Sequence, residues 1–123
     1  MYKGIYVSLD RKYKNNQVMD KTDALKIANN YAVVVNANYE NIKIYLFGSY
    51  VKGNQNEESD IDIAVVFKDY NNLMDMQLEL MRLRRKIDSR IEPHPFRESE
   101  FLLSNPIVNE IMKYGQEINI KTA

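Results

Sequence analysis

The sequence predicts an α/β (α+β) domain, a small mixed β-sheet flanked by helices. Two stretches with apolar residues at three- and four-residue steps read as helices, around residues 20–38 and 73–87. Two apolar runs, 42–47 and 60–67, read as strands between them. A proline-punctuated segment at 90–95 must be extended, because each proline pushes the residue before it away from helical backbone.

In chain order, Ile5 and Val7 alternate like a short strand, and Arg11 to Gln17 is polar and turn-like. The first helix runs from about Asp20 to Asn38, its apolar face formed by Leu25, Ala28, Ala32, Val35 and Tyr39. Asp20 or Thr22 can cap its start, with Asp23 well placed in the first turn. Asn41 ends the pattern. Ile42–Phe47 is a buried strand that Gly48-Ser49 stops abruptly, and Asp60–Phe67 is the next. Asp69, Asn71 or Asn72 can cap a long helix reaching about Ile87. Arg90–Glu92 forms a third strand. A short helix follows from about Glu98 to Leu103. In the last helix Asn105 is the cap, Pro106 takes the first position and Gly115 marks the exit.

The 123 residues suit one domain, with a core at about 20–96 and C-terminal helices at about 97–116. Seventeen basic and seventeen acidic residues cancel, which disfavours stable nucleic-acid binding. Cysteine is absent, excluding disulfides, thiolate catalysis and cysteine-bound zinc. Neither a signal peptide nor the roughly 20-residue apolar span of a membrane helix is expected, so the expected location is cytoplasmic.

The chemistry concentrates between Gly48 and Ile63, GSYVKGNQNEESDIDI. Gly48 at a strand end permits a sharp turn and lets a phosphate approach backbone N–H groups. If Tyr50–Lys52 begin a short helix, its positive end faces that phosphate. Ser49 adds a hydroxyl and Lys52 a charge. Asp60 and Asp62, two apart on a strand, look to one face, while Ile61, Ile63, Val65 and Phe67 line the other. Paired carboxylates repel unless a cation sits between them, and magnesium takes such oxygen ligands while leaving positions for phosphates. Each half alone is more often structural, a plain turn or a solvated strand start.

Together, Gly48-Ser49, ten residues, then Asp60-x-Asp62 resembles the motif of the DNA polymerase β-like nucleotidyltransferase superfamily. The form GSYVKG…SDIDIAVV is similar to its minimal single-domain prokaryotic members (MNT), over roughly residues 42–96. The resemblance implies a nucleotidyltransferase fold and a third carboxylate from a later strand. Glu92 in Arg90-Ile91-Glu92-Pro93-His94-Pro95 is the candidate and Asp88 its rival. The family often has Asp there; Glu is one methylene longer and reaches from farther back. By this resemblance, Asp60, Asp62 and Glu92 hold two magnesium ions (or manganese), and the Gly48-Ser49 loop, with Lys52, grips the triphosphate of ATP. An acceptor hydroxyl then attacks the α-phosphorus and pyrophosphate leaves.

Other features read as structural. His94 is a surface or packed imidazole, although a substrate contact is conceivable. Tyr50 is the tyrosine placed to stack on a base or ribose. Arg82, Arg84, Arg85, Lys86 and Arg90 make a solvated basic face. On the long helix, Leu73, Met76, Leu80, Leu83 and Ile87 should lie on the sheet. A second stripe, Met74, Leu78 and Met81, either packs on terminal elements or binds another copy or another protein.

Fold and metal site leave the acceptor open. A free-standing minimal domain resembles the MNT antitoxin partners of HEPN-domain toxins. That resemblance implies AMP transfer from ATP to a toxin tyrosine. A non-catalytic antitoxin that neutralises its partner by binding is the alternative, and a nucleotide sensor a third reading.

Overall fold

A computed structural model describes residues 19–120. The strand expected around Ile5 and Val7 lies outside the described residues. Within them the order is α1 (Lys21–Asn38), β1 (Lys43–Phe47), α2 (Ser49–Lys52), β2 (Ile61–Phe67), α3 (Leu73–Arg84), β3 (Ile91–Arg97), a 3-10 turn (Glu98–Glu100), α4 (Pro106–Tyr114) and β4 (Gln116–Glu117). The sheet runs β3-β2-β1-β4. β1 is antiparallel to both β2 and β4, while β2 and β3 are parallel. The mixed sheet follows from connection length: a short loop suffices for β1 to β2, whereas parallel β3 needs the crossover through α3.

Side-chain polarity sets the helix starts. Asp20 accepts from the Asp23 N–H at 2.9 Å, Asn72 from Asp75 at 3.0 Å and Asn105 from Ile107 at 2.9 Å. α1 buries Ala24, Ala28, Tyr31, Ala32 and Val35. This face is rotated from the expected one, leaving Leu25 and Tyr39 only half-buried. Tyr31 turns inward because its hydroxyl finds an acceptor there, the Leu80 carbonyl at 2.7 Å.

The two faces of the sheet carry separate apolar clusters. Ile61, Ile63, Val65 and Phe67 pack with Ile44 and Leu46 beneath α1 and α3. On the other face, Tyr45, Phe47, Ala64 and Val66 meet Ile111 of α4, with Phe96 and Phe101 alongside. Asp62 belongs to this second face, at the end where α4 does not cover it fully.

Several expectations are corrected. α3 ends at Arg84 rather than near Ile87. From there the chain tightens into i to i−3 bonds, Arg85 N–H to Arg82 and Ile87 N–H to Arg84, as it reverses toward β3. β3 extends through both prolines to Arg97. It is an edge strand, so the missing N–H groups of Pro93 and Pro95 cost no ladder bond. The carbonyls on that free edge are met by side chains: Arg84 donates to Ile91 at 2.8 Å and Gln77 to Pro93 at 3.0 Å. The helix expected from Glu98 to Leu103 is one 3-10 turn, because Phe101 leaves helical backbone to pack its ring on Phe96 and Tyr45.

Gly115 ends α4 with extended backbone, not left-handed. A side chain there would collide with the Ile111 carbonyl and sit 3.3 Å from that of Leu46, so glycine is required for close approach. The chain then adds β4, a strand absent from the sequence reading. Met74 and Leu78 are exposed and Met81 half-buried, so this stripe of α3 is largely open among the described residues. Leu73, expected on the sheet, is also exposed; Leu80 and Leu83 reach the core as expected, and Met76 and Ile87 pack against it half-buried.

Candidate active site

β1 ends in Phe47, whose cross-strand partner on β2 is Asp62. Gly48 then turns the chain with φ 85° and ψ −151°, a region essentially restricted to glycine. A methyl group on Gly48 would run into the Asp62 carboxylate oxygen Oδ2, with Cγ at 3.2 Å. Glycine therefore does two things here: it makes the bend, and it lets Asp62 lie against the loop. Ser49–Lys52 form the single turn α2, which Gly53 closes in the left-handed conformation.

On its other side Asp62 is in register with Glu92 of β3. Paired residues of adjacent strands point to one face, so two acidic side chains stand side by side at the strand spacing of about 5 Å. Like charges so placed are unfavourable without a cation. Asp60 falls one residue before β2 and is exposed. Among the described residues, no three His, Asp or Glu side chains form a ready-made metal cage. Magnesium does not require one, since it is commonly held by one or two carboxylates together with waters and substrate phosphates. The residues present, Asp62 in register with Glu92 and the exposed Asp60 two positions earlier, fit that ion in donor type.

His94 belongs to this group. It follows Glu92 by two positions, sharing its face, and its Nε2 lies 3.0 Å from Asp62 Oδ1. Its ring packs edge-on to Phe47, with centroids 5.0 Å apart. The sequence reading set it aside as structural; the signal that would have found it is the two-residue spacing from Glu92 on extended backbone.

Three other residues singled out in the sequence have defined surroundings. Tyr50 is buried in the main core and has no free face for a base. Burial, above all, pushes its hydroxyl pKa up. Lys52 pairs with Glu110 of α4 at 3.5 Å and lies over the Tyr114 ring. Asp88, the rival third carboxylate, accepts from Arg90 through both the main chain and the guanidinium. Much of the basic run is likewise committed, Arg82 to Glu79, Arg84 to the Ile91 carbonyl and Arg90 to Asp88.

The sequence pattern that defines the family "Polymerase beta, Nucleotidyltransferase" matches residues 29–119, a span holding every residue of this site. The chain belongs to that family. As a nucleotidyltransferase it is similar to a candidate protein adenylyltransferase of Methanocaldococcus jannaschii, with 29% identity over 79 residues. That match covers 62% of this chain and 77% of the relative. It is also 37% identical over 68 residues to the protein adenylyltransferase MntA of Shewanella oneidensis. This covers 54% of the chain and 48% of MntA, so the chain spans about half the length of that relative. A crystal structure of a toxin–antitoxin pair with AMP-PNP superimposes with a TM-score of 0.56 at 28% identity, covering 76% of this chain and 74% of that one. Among the described residues, no helix of this nucleotidyltransferase is long and apolar enough to cross a membrane.

Proposed function

We propose that this nucleotidyltransferase transfers AMP from ATP to a tyrosine hydroxyl of a HEPN-type partner toxin, and so acts as its antitoxin. The observation that carries the reading is Asp62, which lies against the Gly48 bend on one side and is in register with Glu92 on the other. Two negative side chains beside a phosphate-binding turn would call for a cation between them and the triphosphate. The nucleotide is argued from the relatives, two of which are named as protein adenylyltransferases, and from the AMP-PNP in the similar toxin–antitoxin structure. The partner class rests on the resemblance to HEPN/MNT pairs.

In this reading each residue has a physical task. Gly48 exposes the backbone N–H groups that open α2 to the β and γ phosphates, and Ser49 adds a hydroxyl donor. Asp62 takes the central place, with Glu92 beside it on the side of the attacking hydroxyl and Asp60 at the solvent side. Magnesium, when bound by these carboxylates, would neutralise charge on both the entering and the leaving oxygen of an in-line displacement. The tyrosine hydroxyl gives up its proton to solvent on the Glu92 side, and its oxygen bonds to the α-phosphorus as the bond to pyrophosphate breaks. Lys52 contributes to phosphate binding only if it leaves Glu110.

The test is transfer of label from ATP, with magnesium, to the protein encoded next to this one. Label recovered on a partner tyrosine is expected, and Asp62→Asn should abolish it while the melting temperature holds. A tight unlabelled complex would instead make the chain an antitoxin that works by binding. Label transfer undiminished by Asp62→Asn would sink the catalytic reading.

A further inference from the structure

Asp62 is held from two directions. The Gly48 backbone stands against Oδ2, and His94 reaches Oδ1 at 3.0 Å. As a cation-binding carboxylate Asp62 only accepts hydrogen bonds, and in that state His94 Nε2–H is the donor. The torsion that turns a carboxylate about its last carbon–carbon bond is soft. One wall leaves that plane free to rock; two opposed contacts fix it.

His94 is itself fixed. Pro93 and Pro95 flank it and lock the backbone on either side, in register with Ile63 and Val65 of β2. Its ring rests on Phe47, the residue directly opposite Asp62 on the neighbouring strand. The imidazole, carried by β3, thus lies over the sheet face with contacts to Asp62 of β2 and Phe47 of β1. About 30% of its side chain is exposed, similar to Asp62.

We propose that His94 is a positioning residue, whose Nε2–H orients the Asp62 carboxylate so that its remaining lone pairs face the cation. The two oxygens offer about four lone-pair sites, so one hydrogen bond leaves the others available. Partners of this kind, which touch the ligand and not the metal, typically change metal affinity by about 10–100-fold. This role rests on the reading of Asp62 as a cation-binding residue.

The test uses Mn2+ as probe, titrated into the full chain with AMP-PNP and followed by electron paramagnetic resonance. His94→Ala should weaken Mn2+ binding by about tenfold or more. His94→Phe keeps a ring on Phe47 without the donor and should lose as much. His94→Gln, whose amide can donate to the same oxygen, should recover most of the affinity. Melting temperatures separate folding from positioning: the Phe variant should melt near the wild type yet bind Mn2+ poorly. Wild-type affinity in both His94→Ala and His94→Phe overturns the positioning role alone, provided Asp62→Asn abolishes binding. A wild type that binds no Mn2+ overturns this inference together with the cation reading of Asp62.

Discussion

Gly48 and Asp62 are mutually dependent: the bend at Gly48 lies so close to the Asp62 carboxylate that no side chain fits between them. Gly48→Ala combines that collision with a backbone region of about 1–3 kcal/mol strain. It should lower stability by about that amount and bring label transfer close to background. Gly53 also has positive φ, but a side chain there meets nothing within 4 Å. Gly53→Ala should cost about 1–2 kcal/mol and leave transfer largely intact. Urea melts and label transfer on the two variants check the contrast; equal activity in both would contradict it.

Tyr31 ties α1 to α3 through its bond to the Leu80 carbonyl in the core. Tyr31→Phe preserves the ring and removes one of that carbonyl's two bonds, the helix bond within α3 remaining, which should cost about 0.5–1.5 kcal/mol. Chemical denaturation reads the loss, and transfer per folded molecule should stay unchanged, since Tyr31 lies on the sheet face away from Asp62.

Alkali should unfold the chain. Burial raises the hydroxyl pKa of Tyr31, Tyr39, Tyr45, Tyr50 and Tyr70, and for Tyr31 the nearby Arg84 offsets it only in part. The unfolded tyrosine titrates near pH 10. Folded pKa values above this mean that the unfolded chain loses protons first. Stability from these groups is therefore present below about pH 10 and falls as pH rises toward the folded values. Tyrosinate absorbance followed with circular dichroism should show a late, cooperative tyrosine phase coincident with unfolding. Independent titration of all tyrosines near pH 10 would count against it.

Lys52 and Glu110 are each more than a third exposed, so their pairing is worth about 0–1 kcal/mol after solvent screening. Glu110→Gln should shift stability by no more than this about 1 kcal/mol. By freeing the ammonium, it should tighten ATP binding at low salt, whereas Lys52→Ala should weaken it. Tyr50→Phe, within the core, should leave ATP affinity unchanged. Equilibrium binding of a fluorescent ATP analogue measures all three.

Much of the fold could be read from local pattern. The caps Asp20, Asn72 and Asn105 act within one helical turn, and the apolar runs of β1 and β2 were recognisable because strand burial needs only neighbours in sequence. Glu92 was likewise readable as extended, from the prolines after it. The misreadings share one cause. Tyr50 looked available for a base because it adjoins the phosphate turn, but the direction of α2 sends it into the core. His94 looked incidental because its meaning depends on Asp62, 32 residues earlier. β3 looked too short because two prolines are tolerated only on an edge, and edge status belongs to the sheet.

By itself the sequence determined the two long helices, the strands β1 and β2 and the bend at Gly48, since each follows from residues within a few positions. Tertiary structure alone decided that Glu92 stands beside Asp62, that His94 holds its carboxylate and that Lys52 turns to Glu110. Those relations cross strands and helices, and only strand register and helix packing set such distances.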